Sequence, residues 1–340
     1  MQIGPSRSLI LEFLCLVLFS FGAASAPAST IHVPSDQPSI QAGINSASNG
    51  DTVLVSPGTY YENIDFKGKA ITVTSSGGAA HTIIDGSTGQ NPTVVFRNKE
   101  AETSILSGFT IQGGGIETYS SPISQTNYGT GGILIQEGSP VIANNIITHN
   151  HCNGIQSNAS SPLIENNEID NTLDAQGQCG FAGGSAIWLY GSLSNYNGGT
   201  QLQTPPAVVS GNLIQNNTQS GKDDAGGNGG TAIAVWGAYA SIIGNTLRNN
   251  ITLGDGGAIL AFNTDEVVIV GNLIYGNKAT TDGAISLEPP SSSLGPFIGI
   301  VGSNTIYGNV QTSSKGGGIR GLASYSGLPE RQSRTVFARQ

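Results

Sequence analysis

The stretch NNIITHN at residues 144–150 opens on a turn-forming Asn, runs through a second Asn into an alternating aliphatic pair, and closes on another Asn. The phrase returns as NNEIDNT at 166–172, GNLIQNN at 211–217, GNTLRNN at 244–250, GNLIYGN at 271–277 and SNTIYGN at 303–309, with a degenerate GFTIQGG at 108–114. Copies lie about 22 to 45 residues apart, the period of one supersecondary unit stacked on the next. Two short runs with strand alternation precede the later copies, as in GGILIQ then PVIAN, or TAIAVW then ASIIG. Each repeat therefore predicts three short strands broken by Gly, Asn and Ser turns, with no helical period between them. Parallel strands ordinarily need long crossovers, but a chain that winds as a coil meets its own next turn directly. The expected fold is all-β: one right-handed parallel β-helix, a solenoid of about eight to nine coils.

Inward positions follow from the phrase that opens each repeat. Ile133, Ile155, Ile187, Ile233, Ile259, Ile285 and Ile319 would stack into one aliphatic row. The repeated Asn145, Asn167, Asn212, Asn245, Asn272 and Asn304 suit a structural role, because Asn tolerates the left-handed turn and stacked amides can bond from coil to coil. Composition agrees: only 10% of residues are charged while 49 are Gly, as expected when side chains fill a narrow core or occupy tight turns. The net charge of -9 argues against a nucleic-acid groove or an anionic membrane surface as the main partner, leaving only a local cluster to bind a polyanion.

The first residues read as a targeting signal. Arg7 precedes the apolar run LILEFLCLVLFSF at 9–21, and the small residues GAASAPA follow. Residues 1–26 are thus expected to be a signal peptide, too short to span a bilayer comfortably, and to direct the chain to a secreted or periplasmic location. Residues 27–50 would form an N-terminal cap, 51–323 the coils, and 324–340 an irregular or truncated tail, since the coil opening at KGGGIRGLAS never reaches its Asn phrase. Beyond the signal only Cys152 and Cys179 remain, on neighbouring coils, and an exported protein can oxidise such a pair to a disulfide.

The stretch IHVPSDQPSIQAGINSASNGDTVLVSPGTYYENIDFKGKAITVTSSGG from residue 31, followed by TIIDG, resembles the opening of the pectin-lyase-like superfamily of right-handed parallel β-helix proteins. Within it, Ile40 and Ile44 lie four apart on one face of a short helix over 38–47 that would cover the open first coil. The resemblance implies a superfamily of polysaccharide lyases, hydrolases, esterases, epimerases and noncatalytic members. Its catalytic blocks are not matched here: the Trp-Ile-Asp-His block of pectate lyases is absent, and NTD at 263–265 with Asp223 and Asp224 stands in reversed order to the polygalacturonase pattern.

Stacking suggests a site independently. Four residues past the Ala of each repeat stand Tyr190, Trp236 and Phe262, with Trp188 two residues before Tyr190 on the same outer face. Exposed, this aromatic column would suit the apolar faces of sugar rings and bind polysaccharide; covered by the long connections, it would be packing. Those connections carry Lys222, Asp223 and Asp224, then Asp255, then Lys278 and Asp282. Asp224, Asp255 and Asp282 would supply hard oxygen ligands to Ca²⁺, and Lys222 or Lys278 would act as the base of β-elimination on a uronate; alternatively, two carboxylates would hydrolyse the glycosidic bond. Asp followed by Gly is equally an ordinary turn signal. His149 and His151 form the one close His pair, read as a metal pair or a solvated turn. The expectation is an exported polysaccharide-binding protein with lyase-type cleavage as its extension, against a noncatalytic surface or interaction protein.

Overall fold

The computed structural model describes residues 27–87, 91–115, 130–172, 179, 184–191, 205–219, 232–252, 256–262, 264, 266–281, 283–288, 298–313, 318–321 and the backbone of 334–337. The expected signal segment lies outside the described residues. Every strand pairing among the described residues is parallel, and the strands form sheets of nine, eleven, nine and four members. One coil shows the pattern. The chain passes through Ile233–Trp236 in a first sheet, Ala240–Ile243 in a second, Thr246–Arg248 in a third and Ile251–Thr252 in a short fourth. Each strand then pairs with its equivalent one coil on, which is a right-handed parallel β-helix. The fourth sheet was not expected. It arises where the two residues after the second Asn of a phrase stay extended and pair, as Ile251 does with Lys278.

The core is the expected aliphatic row and its neighbours. Ile133, Ile155, Ile187, Ile233, Ile259, Ile285 and Ile319 are consecutive partners in the first sheet, and all but the last are fully buried. Strand alternation sends Leu189, Val235 and Leu287 inward with them. The second and third sheets close the core with Ile142, Ile242 and Ile269, and with Ile147, Leu247 and Ile274.

The Asn phrase resolves into two tasks on adjacent residues. The residue before each ladder Asn takes the left-handed conformation: Asn144 at φ 58°, Asn166 at 54°, Gly211 and Gly244 at 65°, Gly271 at 69° and Ser303 at 54°. The Asn that follows is buried and bonds along the stack. Asn245 Oδ1 accepts the backbone N–H and the Nδ2 of Asn212, each at 2.9 Å, while Asn245 Nδ2 donates to Val209 O at 2.9 Å and to Asn272 Oδ1 at 3.0 Å. The second Asn of each phrase builds a parallel ladder through Asn217, Asn250, Asn277 and Asn309; Thr172 takes the Asn position one coil before Asn217, and Asn150, a coil earlier still, accepts the Gly114 N–H and donates to Ile111 O. Corner amides that would be orphaned in a dry turn are thereby satisfied by the coil above.

The helix Ile40–Ser46 caps the first coil. Ser39 Oγ accepts the Ala42 N–H at 3.1 Å, and the Glu62 carboxylate accepts the N–H groups of Ile40 and Gln41 at 2.9 Å, so the first turn has its acceptors. At the other end Lys69 Nζ donates to Ile44 O, Asn45 O and Ala47 O. Ile40 and Ile44 are fully buried against the coil. Asp51 ties the strand Thr30–Val33 to this cap. Its carboxylate accepts the Ser29 and Ser48 N–H groups at 2.7 Å, and these bonds, Ser29 first, hold its pKa below the ordinary 3.8. A carboxylate depressed in the folded state stabilises fully above its unfolded value and loses that contribution as pH falls through the lower folded value. Asp51→Asn is therefore expected to lower the melting temperature at pH 7, and the gap from wild type should close as the pH is taken well below 3.8. Melting curves from pH 7 down to pH 2 check this, and a gap that stays constant would refute the ionic account.

Candidate functional site on the outer face of the first sheet

The outward positions of the first sheet form two columns. One runs Leu134, Gln156, Trp188, Ala234, Leu260, Ser286 and Arg320, each the in-register partner of the next. The other runs Gln136, Asn158, Tyr190, Trp236, Phe262 and Glu288. Tyr190, Trp236 and Phe262 thus do stand on three consecutive coils. The Trp236 and Phe262 ring centroids are 4.5 Å apart at 58°, and Trp188 lies 6.0 Å from Trp236.

Exposure differs from the open column. Trp188 is 1% and Trp236 9% exposed, so the two indoles are packed, and only Tyr190 and Phe262 are half-buried. Leu134, Gln156, Ala234, Leu260 and Ser286 are also buried although they point away from the core. Large apolar groups in an open column would leave a patch that soluble proteins rarely tolerate, and here the indoles are withdrawn from water. Trp188 and Trp236 are thus not open rings, and the connections expected to cover them lie largely outside the described residues.

A charged group that the sequence reading missed closes the column. Glu288 is the in-register partner of Phe262, and Arg320 follows Ser286 in the neighbouring column on the last coil. Arg320 Nη1 lies 3.9 Å from Glu288 Oε1, with the side chains 25% and 13% exposed, and Ser286 Oγ donates to the same oxygen at 3.3 Å. At the opposite end Asn153 Nδ2 donates to Gln156 Oε1, and Gln156 Nε2 donates to Asn158 Oδ1, both at 3.4 Å. The face is a strip of packed aromatics with amides at one end and an ion pair at the other. The count of four from Ala186, Ala232 and Ala258 that yields the aromatics also yields Glu288 from Ala284, but nothing along the chain pairs it with Arg320.

The remaining candidates are placed elsewhere. Lys222, Asp223, Asp224, Asp255 and Asp282 lie outside the described residues. Lys278 is exposed and opens the strand Lys278–Ala279 of the fourth sheet, a different face from the aromatic column. Among the described residues no group of three or more His, Cys, Asp or Glu side chains is placed to hold a metal ion. His149 and His151 are both exposed; His149 occupies a left-handed turn position at φ 52°, with its Nδ1 2.8 Å from Thr148 Oγ1. Cys152 and Cys179 are buried and joined in a disulfide with Cα atoms 5.3 Å apart.

No family model matches the chain, and no curated protein does. Solved structures do. The pectate lyase Pel9A is 13% identical over 82% of this chain and 70% of its own, with a TM-score of 0.49. An alginate lyase from Paenibacillus sp. str. FPU-7 is 16% identical over 86% of this chain and 99% of its own, with a TM-score of 0.45. The pectin methylesterase from carrot is 11% identical over 89% of this chain and 90% of its own, with a TM-score of 0.41. At such identities and TM-scores the likeness transfers no residue's role to this chain. The chain has a right-handed parallel β-helix fold.

Proposed function

We propose that this protein is an extracytoplasmic polysaccharide-binding β-helix that holds an acidic glycan along the outer face of the first sheet. The observation that carries the reading is the column Tyr190, Trp236, Phe262 and Glu288 with Arg320 beside it. Phe262 and Tyr190 offer partly accessible rings to the apolar faces of sugars, while the packed Trp188 and Trp236 hold those rings in place. Arg320 supplies the fork that matches a uronate carboxylate, and Glu288 orients it. An exported location fits both the apolar run at 9–21 and a buried disulfide, which persists in oxidising compartments.

Cleavage by β-elimination is the extension of this reading, with Lys222, Asp223 and Asp224 as its candidate residues, whereas the expected base Lys278 sits on the fourth sheet and not on the face of the column. Calcium, with Asp224, Asp255 and Asp282 as its candidate ligands, enters only as a variable of the test. The test is incubation of the protein with polygalacturonate, alginate and neutral glycans, with and without Ca²⁺, following unsaturated-product absorbance and reducing ends together. Absorbance that rises with Ca²⁺ supports elimination. Reducing ends without it would replace elimination by hydrolysis, and no product with retained binding leaves a noncatalytic binder. Affinity electrophoresis in gels containing the acidic glycan addresses the binding itself. Phe262→Ala and Arg320→Gln are each expected to weaken retardation about tenfold, the loss typical of a central contact. Unchanged retardation in both variants would remove the first sheet as the binding face.

A further inference from the structure

The third sheet carries a second ordered strip on the opposite side of the phrase that builds the ladders. Its outward positions Asp170, Gln215, Arg248, Tyr275 and Tyr307 are consecutive in-register partners over five coils. This face is more open than that of the first sheet, with no fully buried member: the first four are half-buried and Tyr307 is 54% exposed. The side chains are already held in line. Gln215 Nε2 donates to Glu168 Oε1 at 2.7 Å, Arg248 Nε donates to Gln215 Oε1 at 2.8 Å, and Arg248 Nη1 donates to Tyr275 OH at 3.1 Å. Tyr275 and Tyr307 stack with centroids 5.0 Å apart and planes within 4°. Beside this line runs the column Glu168, Leu213, Thr246, Leu273 and Thr305, in which the half-buried Leu213 and Leu273 are apolar patches between polar neighbours.

We infer that this strip binds a neutral, hydroxyl-rich glycan chain extended along the helix axis. Gln215, Arg248, Tyr275 and Tyr307 present donors and acceptors on successive strands about 4.8 Å apart, and the Glu168 and Asp170 carboxylates of one strand add acceptors at its end. Leu213, Leu273 and the tyrosines accept the C–H faces of sugars that the polar line cannot. Two carboxylates against one guanidinium make the strip net negative, which repels uronates and selects neutral sugars. Because the side chains are fixed by one another, little rotamer freedom is lost on binding. The inference is independent of the acidic-glycan reading of the first sheet.

The experiment is affinity electrophoresis of the whole protein in gels cast with β-glucan, xylan or mannan, and in parallel with polygalacturonate. At least one neutral glycan is expected to retard the wild type. Tyr307→Ala should weaken that retardation by about fivefold or more while leaving polygalacturonate retardation unchanged, whereas Phe262→Ala should leave the neutral-glycan retardation unchanged. Arg248→Gln is the second variant, and thermal melts show that each remains folded. Absence of retardation in all three neutral gels, or neutral retardation that survives both Tyr307→Ala and Arg248→Gln, overturns the inference.

Discussion

Asn245→Ala is expected to lower the unfolding free energy by about 3–5 kcal/mol, far more than an ordinary polar-to-alanine change. The side chain is 1% exposed and serves both neighbours at once. Its loss removes the acceptor for the Asn212 N–H and Asn212 Nδ2, and the donor to Val209 O and Asn272 Oδ1. Asn212 Nδ2 keeps Ile164 O and Ser210 O, and Asn272 Oδ1 keeps the backbone N–H of residue 245, so the cost falls on the Asn212 N–H and Val209 O, at about 1–3 kcal/mol for each group orphaned in a dry corner. At roughly 2 °C per kcal/mol for a chain of this length, the melting temperature should fall by about 8 °C. Urea unfolding followed by far-UV circular dichroism checks this, and because a solenoid couples only adjacent coils the transition should also broaden. A loss under about 1 kcal/mol would show that water replaces the ladder without cost.

Gly131→Ala is expected to cost about 3 kcal/mol, at the upper end for overpacking. A Cβ there would lie 1.9 Å from Asn153 O and 2.3 Å from His151 O. Both atoms are backbone of the next coil, and Asn153 O already accepts the Gly132 N–H at 3.0 Å, so neither can retreat without breaking the stack. Gly244 gives the contrast. Its added Cβ would meet nothing within 4 Å, and the residue sits at φ 65°, so Gly244→Ala should cost only the conformational penalty of about 1–2 kcal/mol. The paired urea midpoints separate collision from backbone strain, and equal losses at the two positions would refute the collision.

Much of the architecture was legible in the chain itself because a solenoid repeats one local decision. The left-handed residue, the buried Asn and the aliphatic two residues later recur with fixed spacing, so each coil states its own register and the Ile133 to Ile319 row follows by counting. The same count placed Tyr190, Trp236 and Phe262 in one column. It also separated inward Ile187 and Leu189 from outward Trp188 and Tyr190. What alternation along a strand encodes is direction, and direction was read correctly.

Exposure is another quantity. Trp188 and Trp236 point outward and yet are buried, because burial depends on what lies over a face, and no two-residue period carries that information. The Glu288 and Arg320 pair escaped for a related reason: its members sit on successive coils 32 residues apart, and a 3.9 Å approach exists only once the coils are stacked in register. The line from Glu168 through Gln215 and Arg248 to Tyr275 is likewise invisible along the chain, being assembled from four coils. Local repetition thus dictated the backbone path and the core, since each coil needs only its neighbour to bury its inward face. The chemistry of the two outer faces was settled by stacking, which brings together side chains whose spacing along the chain follows no rule.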